Sequence, residues 1–395
     1  MHTITRTEDL VAACERLSQH NFITVDTEFM RESTFWPKLC LIQIASPQEE
    51  LVIDPLHEDL DLQAFYSLMD NRDVVKVFHA ARQDIEIVYH QSNIIPHPIF
   101  DTQVAAMVCG FGDSVSYSAL VKKITKTNLD KTSRFTDWSR RPLSDQQLNY
   151  AIGDVTHLRD IYHELNRQLN DSGRASWLDE EMGILTSPET YQLLPELAWK
   201  RLKLRVKNSK NLAVLMEVAA WRETEAQKQD VPRRRIIKDE AIYDIANQIP
   251  RNKEDLAKLR TMSDGMANSN RGRDILDAVK AGLERDPKSL PPIKRTVPPS
   301  HDVGPIIDLL RVLLKAVSSH SGVATKLIAN AEDLEKIAVD DEADVPALRG
   351  WRKQLFGNDA LAIKRGELCL GINGGRIRLM RVTQKKPVSK PSLID

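Results

Sequence analysis

Cysteine is scarce in this 395-residue chain, and long apolar runs are missing altogether. Cys14, Cys40, Cys109 and Cys369 stand apart with no CxxC or Cys/His spacing, so neither a zinc site nor a disulfide framework is indicated, and they read as small core residues. No apolar stretch approaches the ~20 residues that a membrane span needs. The N-terminal "MHTITRTEDLVAACERLSQH" has neither a basic region followed by an apolar core nor an Arg-rich, acid-poor transit pattern. A cytoplasmic protein without a membrane partner is expected. An excess of charge is also lacking: 55 Lys and Arg against 56 Asp and Glu leave a net charge of -1, so any polyanion must be held by local basic patches or by metal ions. The absence of a conspicuous heptad seam points to a monomer.

What is present is ordinary globular composition, 42% hydrophobic and 28% charged, in a chain long enough for two or three domains. Up to about residue 165, short β-rich runs alternate with helical stretches. "NFITV", "KLCLIQIA", "ELVID" and "VVKVFHA" read as strands, with a hairpin at "QEE" between the second and third. "LDLQAFYSLMD", "RQDIEIVYH", "DTQVAAMVCG" and "LSDQQLNYAIGDVTHLRDIYHELNRQL" have helical spacing. Three strands followed by β-α-β alternation predict an α/β domain over 1–200, a mixed sheet with helices on both faces. Residues 208–285 read as short amphipathic helices, 286–302 as a proline-rich linker, 303–382 as a second all-α bundle, and 383–395 as a disordered tail.

The run "ITVDTEFMRE" raises the chemical question. Residues two apart on a strand share a face, so Asp26 and Glu28 point into one volume. Such a pair needs protonation, cationic partners or a bound metal, unless it is simply a solvated strand end. "VFHAARQDIEIV" places Asp84 on the first turns of a helix after a strand, and "YAIGD" puts Tyr150 and Asp154 on one helical face. Taken alone, Asp84 and Asp154 each read more readily as a solvated helix residue.

DxE near the end of a strand, an Asp after "HAARQ" and Y-x-x-x-D on a late helix, in that order, resemble the three motifs of the DEDD exonuclease superfamily in its tyrosine-bearing branch. "VDTEF", "LCLIQIA", "VFHAARQD", "DTQVAA" and "LDKTSRFTDWSRRPLSDQQLNYAIGDVTHL" are similar to the bacterial ribonuclease D family over nearly the whole nuclease region. "NLAVLMEVAAWRETEAQKQDVPRRRIIKDEAIYDIA" resembles the HRDC module, and a second, divergent HRDC-like copy is expected behind it. The resemblance implies a ribonuclease H-like fold and a 3′-5′ exoribonuclease releasing 5′-nucleoside monophosphates, acting on tRNA precursors and other small structured RNAs with a free 3′ end. It implies two divalent ions, Mg²⁺ or Mn²⁺, with Asp26 bridging them, Glu28 and Asp154 completing the nucleophile-side site, and Asp84 holding the other ion. Tyr150 would orient the attacking water. Gly153 departs from the family, where alanine is usual.

Basic clusters at 200–210, 232–238, 293–296 and 374–386 offer either phosphate contacts or a solvated, ion-paired surface. Arg233, Arg234 and Arg235 belong to the second of these, and Arg134, Phe135, Trp138, Arg140 and Arg141 precede the tyrosine-bearing helix as a candidate RNA-contacting rim. Trp138 reads equally as a packing anchor or a base platform. His79 reads as a hydrogen-bonded core histidine. Two other functions stay open: a DNA 3′-5′ exonuclease of the same superfamily, and a non-catalytic RNA-binding scaffold.

Overall fold

The computed structural model describes residues 3–130, 132–133, 136–203, 206, 208–292 and 303–382. Its centre is a six-stranded sheet in the order β1-β4-β3-β2-β5-β6, made of β1 (Thr3–Ile4), β2 (Phe22–Met30), β3 (Lys38–Ala45), β4 (Glu50–Ile53), β5 (Val75–Phe78) and β6 (Ile99–Asp101). β2, β3 and β4 form an antiparallel meander, while β1, β5 and β6 join in parallel, so the sheet is mixed as expected. β1 and β6 escaped the sequence reading because two or three residues are too few to display alternation.

The pleat sorts the strand residues between two helical layers. Ile23 and Val25, with Ile42, Ile44, Leu51 and Ile53, pack against α1 (Thr7–Leu17), α2 (Gln63–Asp70) and α3 (Arg82–Ser92). The other face, with Phe22 and Val77, meets α4 (Thr102–Val108), α5 (Tyr117–Thr125) and the long α6 (Asp145–Asp171). A reciprocal capping box between Ser144 and Gln147 starts α6. Lys76 is a buried exception in β5. Its ammonium donates to the carbonyls of Asn71, Val74 and His97, and burial pushes it down to about 8.

Beyond the sheet domain lie α7 (Asp179–Leu185) and a helical bundle led by α8 (Ser209–Gln229) and closed by Asn270–Glu284. The loop after β2 fastens this bundle: Asp230 accepts from the amides of Phe35 and Trp36 at 3.0 and 2.9 Å, and the Arg233 guanidinium lies 4.5 Å over the Phe35 ring.

Residues 303–382 pack directly on the nuclease unit and share one apolar core with it. Ala324 N–H donates to Met107 O at 2.9 Å, Asp113 accepts from Thr325 and Lys326, and Trp177 stacks on Trp351 at 4.4 Å. Arg352 reaches both Glu180 and Glu181 of α7. This segment is not all-α. Leu368–Asn373 and Arg376–Arg381 form an antiparallel hairpin turned by Gly374 and Gly375, both at positive φ as a tight type I′ turn requires. The arginines of "RIRLMR" hid its two-residue period.

Candidate active site

The site forms where β2 meets α6. Thr24, Asp26 and Glu28 share the α6 face of β2, and the Thr24 hydroxyl donates to Val155 O at 2.8 Å. That bond ties the strand bearing the first motif to the helix bearing the last. Carboxylate oxygens of Asp26, Glu28 and Asp154 consequently all lie within 4.8 Å of one another. Tyr150, one turn before Asp154, lines the same cavity of about 470 Å³, together with Asp84, His79, Gln83, Gln103 and Tyr117.

Asp84 arrives differently. It sits in the first turn of α3, on the opposite side of the sheet, and is only 7% exposed. Its carboxylate accepts from Thr27, which alternation turns away from Asp26 and Glu28. Asp84 is near enough for mutual repulsion with Asp26 but is not part of the three-carboxylate cluster. The structure thus brings four acids and Tyr150 to one cavity while holding one acid slightly apart.

Electrostatics follow from that crowding. Burial first, and then the Asp154 carboxylate, push Asp26 well above the usual carboxylate range. Burial and then Asp26 do the same to Asp84. Burial and the Asp154 carboxylate push the Tyr150 phenol upward, so it remains a neutral hydroxyl at physiological pH. Carboxylates under such strain, with an all-oxygen donor set and no sulfur or imidazole in the cluster, fit a hard divalent cation.

Sequence reasoning missed the residues that hold this arrangement. Asp101 accepts from the amides of Ala80 and Ala81 at 3.0 and 2.9 Å and from Gln103 and Val104 at the start of α4. It thereby fixes the turn before α3, where Ala80 adopts φ +61. Its place as an Asp just ahead of a helical run in "DTQVAA" was the available signal. Tyr117 donates to Gly153 O at 2.8 Å and braces α6.

The other expected contacts fare unevenly. Trp138 is a correction as a base platform: it is 2% exposed, packed near Tyr150 at 6.0 Å, so its ring faces are occupied by core atoms. Arg141 clamps Asp54 and the Cys40 carbonyl, while Arg140 pairs with Asp137 on the surface. Arg233 is bound to buried Glu223, whereas Arg234 and Arg235 are exposed. Arg134, Phe135, the 293–296 cluster and the tail 383–395 lie outside the described residues. His79 bonds Thr102 and the Val115 carbonyl, and burial pushes it below its ordinary value.

Comparison with known proteins decides the family. Residues 1–170 match the model of a 3′-5′ exonuclease family, and 211–279 match that of the HRDC domain. Ribonuclease D of Nitrobacter hamburgensis is 55% identical over 95% of this chain and 98% of its own length. The chain belongs to the ribonuclease D family. Ribonuclease D of Bartonella henselae is 47% identical over 95% of this chain and 93% of its own. Among solved structures, Escherichia coli RNase D, an exoribonuclease involved in structured RNA processing, aligns with a TM-score of 0.80 at 24% identity over 92% of this chain and 98% of that one. That likeness is one of fold, and it extends through the helical region after the nuclease domain. Among the described residues, no helix is long and apolar enough to cross a membrane.

Proposed function

We propose that Asp26, Glu28, Asp84 and Asp154 hold two divalent ions, Mg²⁺ or Mn²⁺, with which this exoribonuclease hydrolyses the terminal phosphodiester of RNA from its 3′ end. The carrying observation is the cluster of three carboxylates within 4.8 Å in a cavity that also contains Tyr150 and Asp84. Bound there, such ions activate water and neutralise charge developing on the phosphate and the leaving oxygen. The chain's own residues do the rest. Asp26 belongs to the cluster with Glu28 and Asp154 and is also an acid whose charge Asp84 feels, which supports its serving both ion sites. Tyr150 stays protonated, so its hydroxyl orients water by hydrogen bonding and does not act as the base. Thr27 fixes the Asp84 carboxylate.

The substrates we assign are tRNA precursors and other small structured RNAs, trimmed in the cytoplasm by a monomer. Exposed Arg234 and Arg235 on the first bundle, and the arginine-bearing strand Arg376–Arg381 of the hairpin, are suited to phosphates of the folded part. We read 1–200 as the nuclease domain, 208–285 as the HRDC domain and 303–382 as a second HRDC-like module bearing a β-hairpin.

The test uses 3′-labelled RNA with Mg²⁺, comparing the wild type with Asp26→Ala, and a matched DNA. Release of labelled mononucleotide from RNA by the wild type alone is expected. Equal degradation by both proteins would overturn the assignment of Asp26, and a faster rate on DNA would overturn the substrate.

A further inference from the structure

The sequence "LCLIQIA" runs through β3 as a core strand, with one residue out of character. Gln43 is 0% exposed, yet among the described residues neither its amide nitrogen nor its amide oxygen has a hydrogen-bond partner. A buried, unsatisfied amide is expensive, and such groups in native folds call for an explanation. Its position supplies one. Gln43 is the central residue of the meander, registered against Asp26 on β2 and Val52 on β4. Registered residues present their side chains to the same face, with Cβ atoms roughly 5 Å apart. Along its own strand the same-face neighbours are Leu41 and Ala45, both fully buried. Of the two residues directly opposite Gln43, only Asp26 carries a polar side chain.

We propose that Gln43 is a positioning residue for Asp26, its amide N–H donating to the Asp26 carboxylate when the site holds metal. Without metal, Glu28 and Asp154 crowd the same carboxylate, and the amide has no partner there. With an ion held by these carboxylates, an Asp26 oxygen would be free to accept from the registered Gln43 amide. Gln43 then orients a ligand from the protein side, as residues behind a metal ligand generally do. The amide is left unsatisfied in the resting strand because its partner is completed by the ion.

This proposal rests on the reading of Asp26 as a metal ligand, and the experiment separates the two. Gln43→Met preserves length and volume while removing the amide. Its Mg²⁺ affinity is read by calorimetry and by thermal stabilisation during Mg²⁺ titration, alongside kcat and KM on single-stranded RNA. A rise of about tenfold in the Mg²⁺ dissociation constant is expected, with kcat reduced, KM for RNA unchanged, and stability in chelator equal to or above wild type. A merely structural glutamine would show the reverse: lower stability in chelator and unaltered Mg²⁺ affinity. Wild-type Mg²⁺ affinity in Gln43→Met overturns the proposal. Failure of both Gln43→Met and Gln43→Leu to fold in chelator also overturns it, since the amide would then be serving the fold. Asp26→Ala is the control. If Asp26→Ala binds Mg²⁺ normally, the ligand reading itself fails; if only Gln43→Met does, positioning alone is refuted.

Discussion

Asp26→Asn should stabilise the metal-free protein and destabilise the metal-loaded one relative to wild type. Carboxylate oxygens of Asp26, Glu28 and Asp154 lie within 4.8 Å of one another, and none of these residues is fully buried. Two unit charges at that separation repel by about 3 kcal/mol at an effective dielectric constant of about 20. Rotation of the side chains and solvent at the pocket mouth reduce this, leaving about 1.5 kcal/mol removed by the neutral amide. For a nuclease unit of this size that corresponds to a rise in Tm of about 3–6 °C. The pH dependence has a defined sign. Folding holds Asp26 and Asp84 above their unfolded values, so the folded state keeps protons that the unfolded state releases. Their favourable contribution is complete below the unfolded carboxylate range and is lost as pH rises through the raised folded values. In chelator, acidification should therefore narrow the gap between wild type and Asp26→Asn. In excess Mg²⁺ the wild type gains binding free energy that the variant lacks, and the order of Tm values reverses. Differential scanning fluorimetry in EDTA and in MgCl₂ between pH 5 and about 8 measures all of this. An Asp26→Asn shift that is the same with and without metal would refute the reasoning.

Two further perturbations test the scaffold. A Cβ at Gly153 would meet only Leu129 Cδ2 at 3.9 Å, so Gly153→Ala should fit and raise stability by about 1 kcal/mol with kcat unchanged; a lower Tm would show that the glycine is needed. Asp101→Ala strips acceptors from four backbone amides and should cost about 3 kcal/mol in urea unfolding, with activity falling as the turn carrying α3 and Asp84 loosens. A loss below about 0.5 kcal/mol would remove Asp101 from the account.

The parts of the site that sequence made legible are those encoded by local periodicity. Asp26 and Glu28 share a face because a strand repeats every two residues, and Tyr150 and Asp154 share one because a helix repeats near every four. The illegible parts depend on contacts between distant segments. Nothing in "HAARQD" shows that Asp84 comes from the opposite side of the sheet, and nothing in "DTEF" shows that Thr27 waits there for it. Trp138 could not be settled from "TDWSRRP", since burial is decided by β3 and α6. The hairpin at 368–381 was hidden because its polar face is arginine, which reads as a charge cluster before it reads as alternation. Thr24 is the most instructive omission. In "NFITVD" it looks like a β-branched strand former and nothing more, yet its hydroxyl bonds the Val155 carbonyl, the residue after Asp154. Two residues along β2 on the same face is Asp26. A single buried hydroxyl therefore links the two elements whose acids are 128 positions apart in the chain. Their 4.8 Å grouping depends on the β2/α6 junction as much as on the motifs themselves.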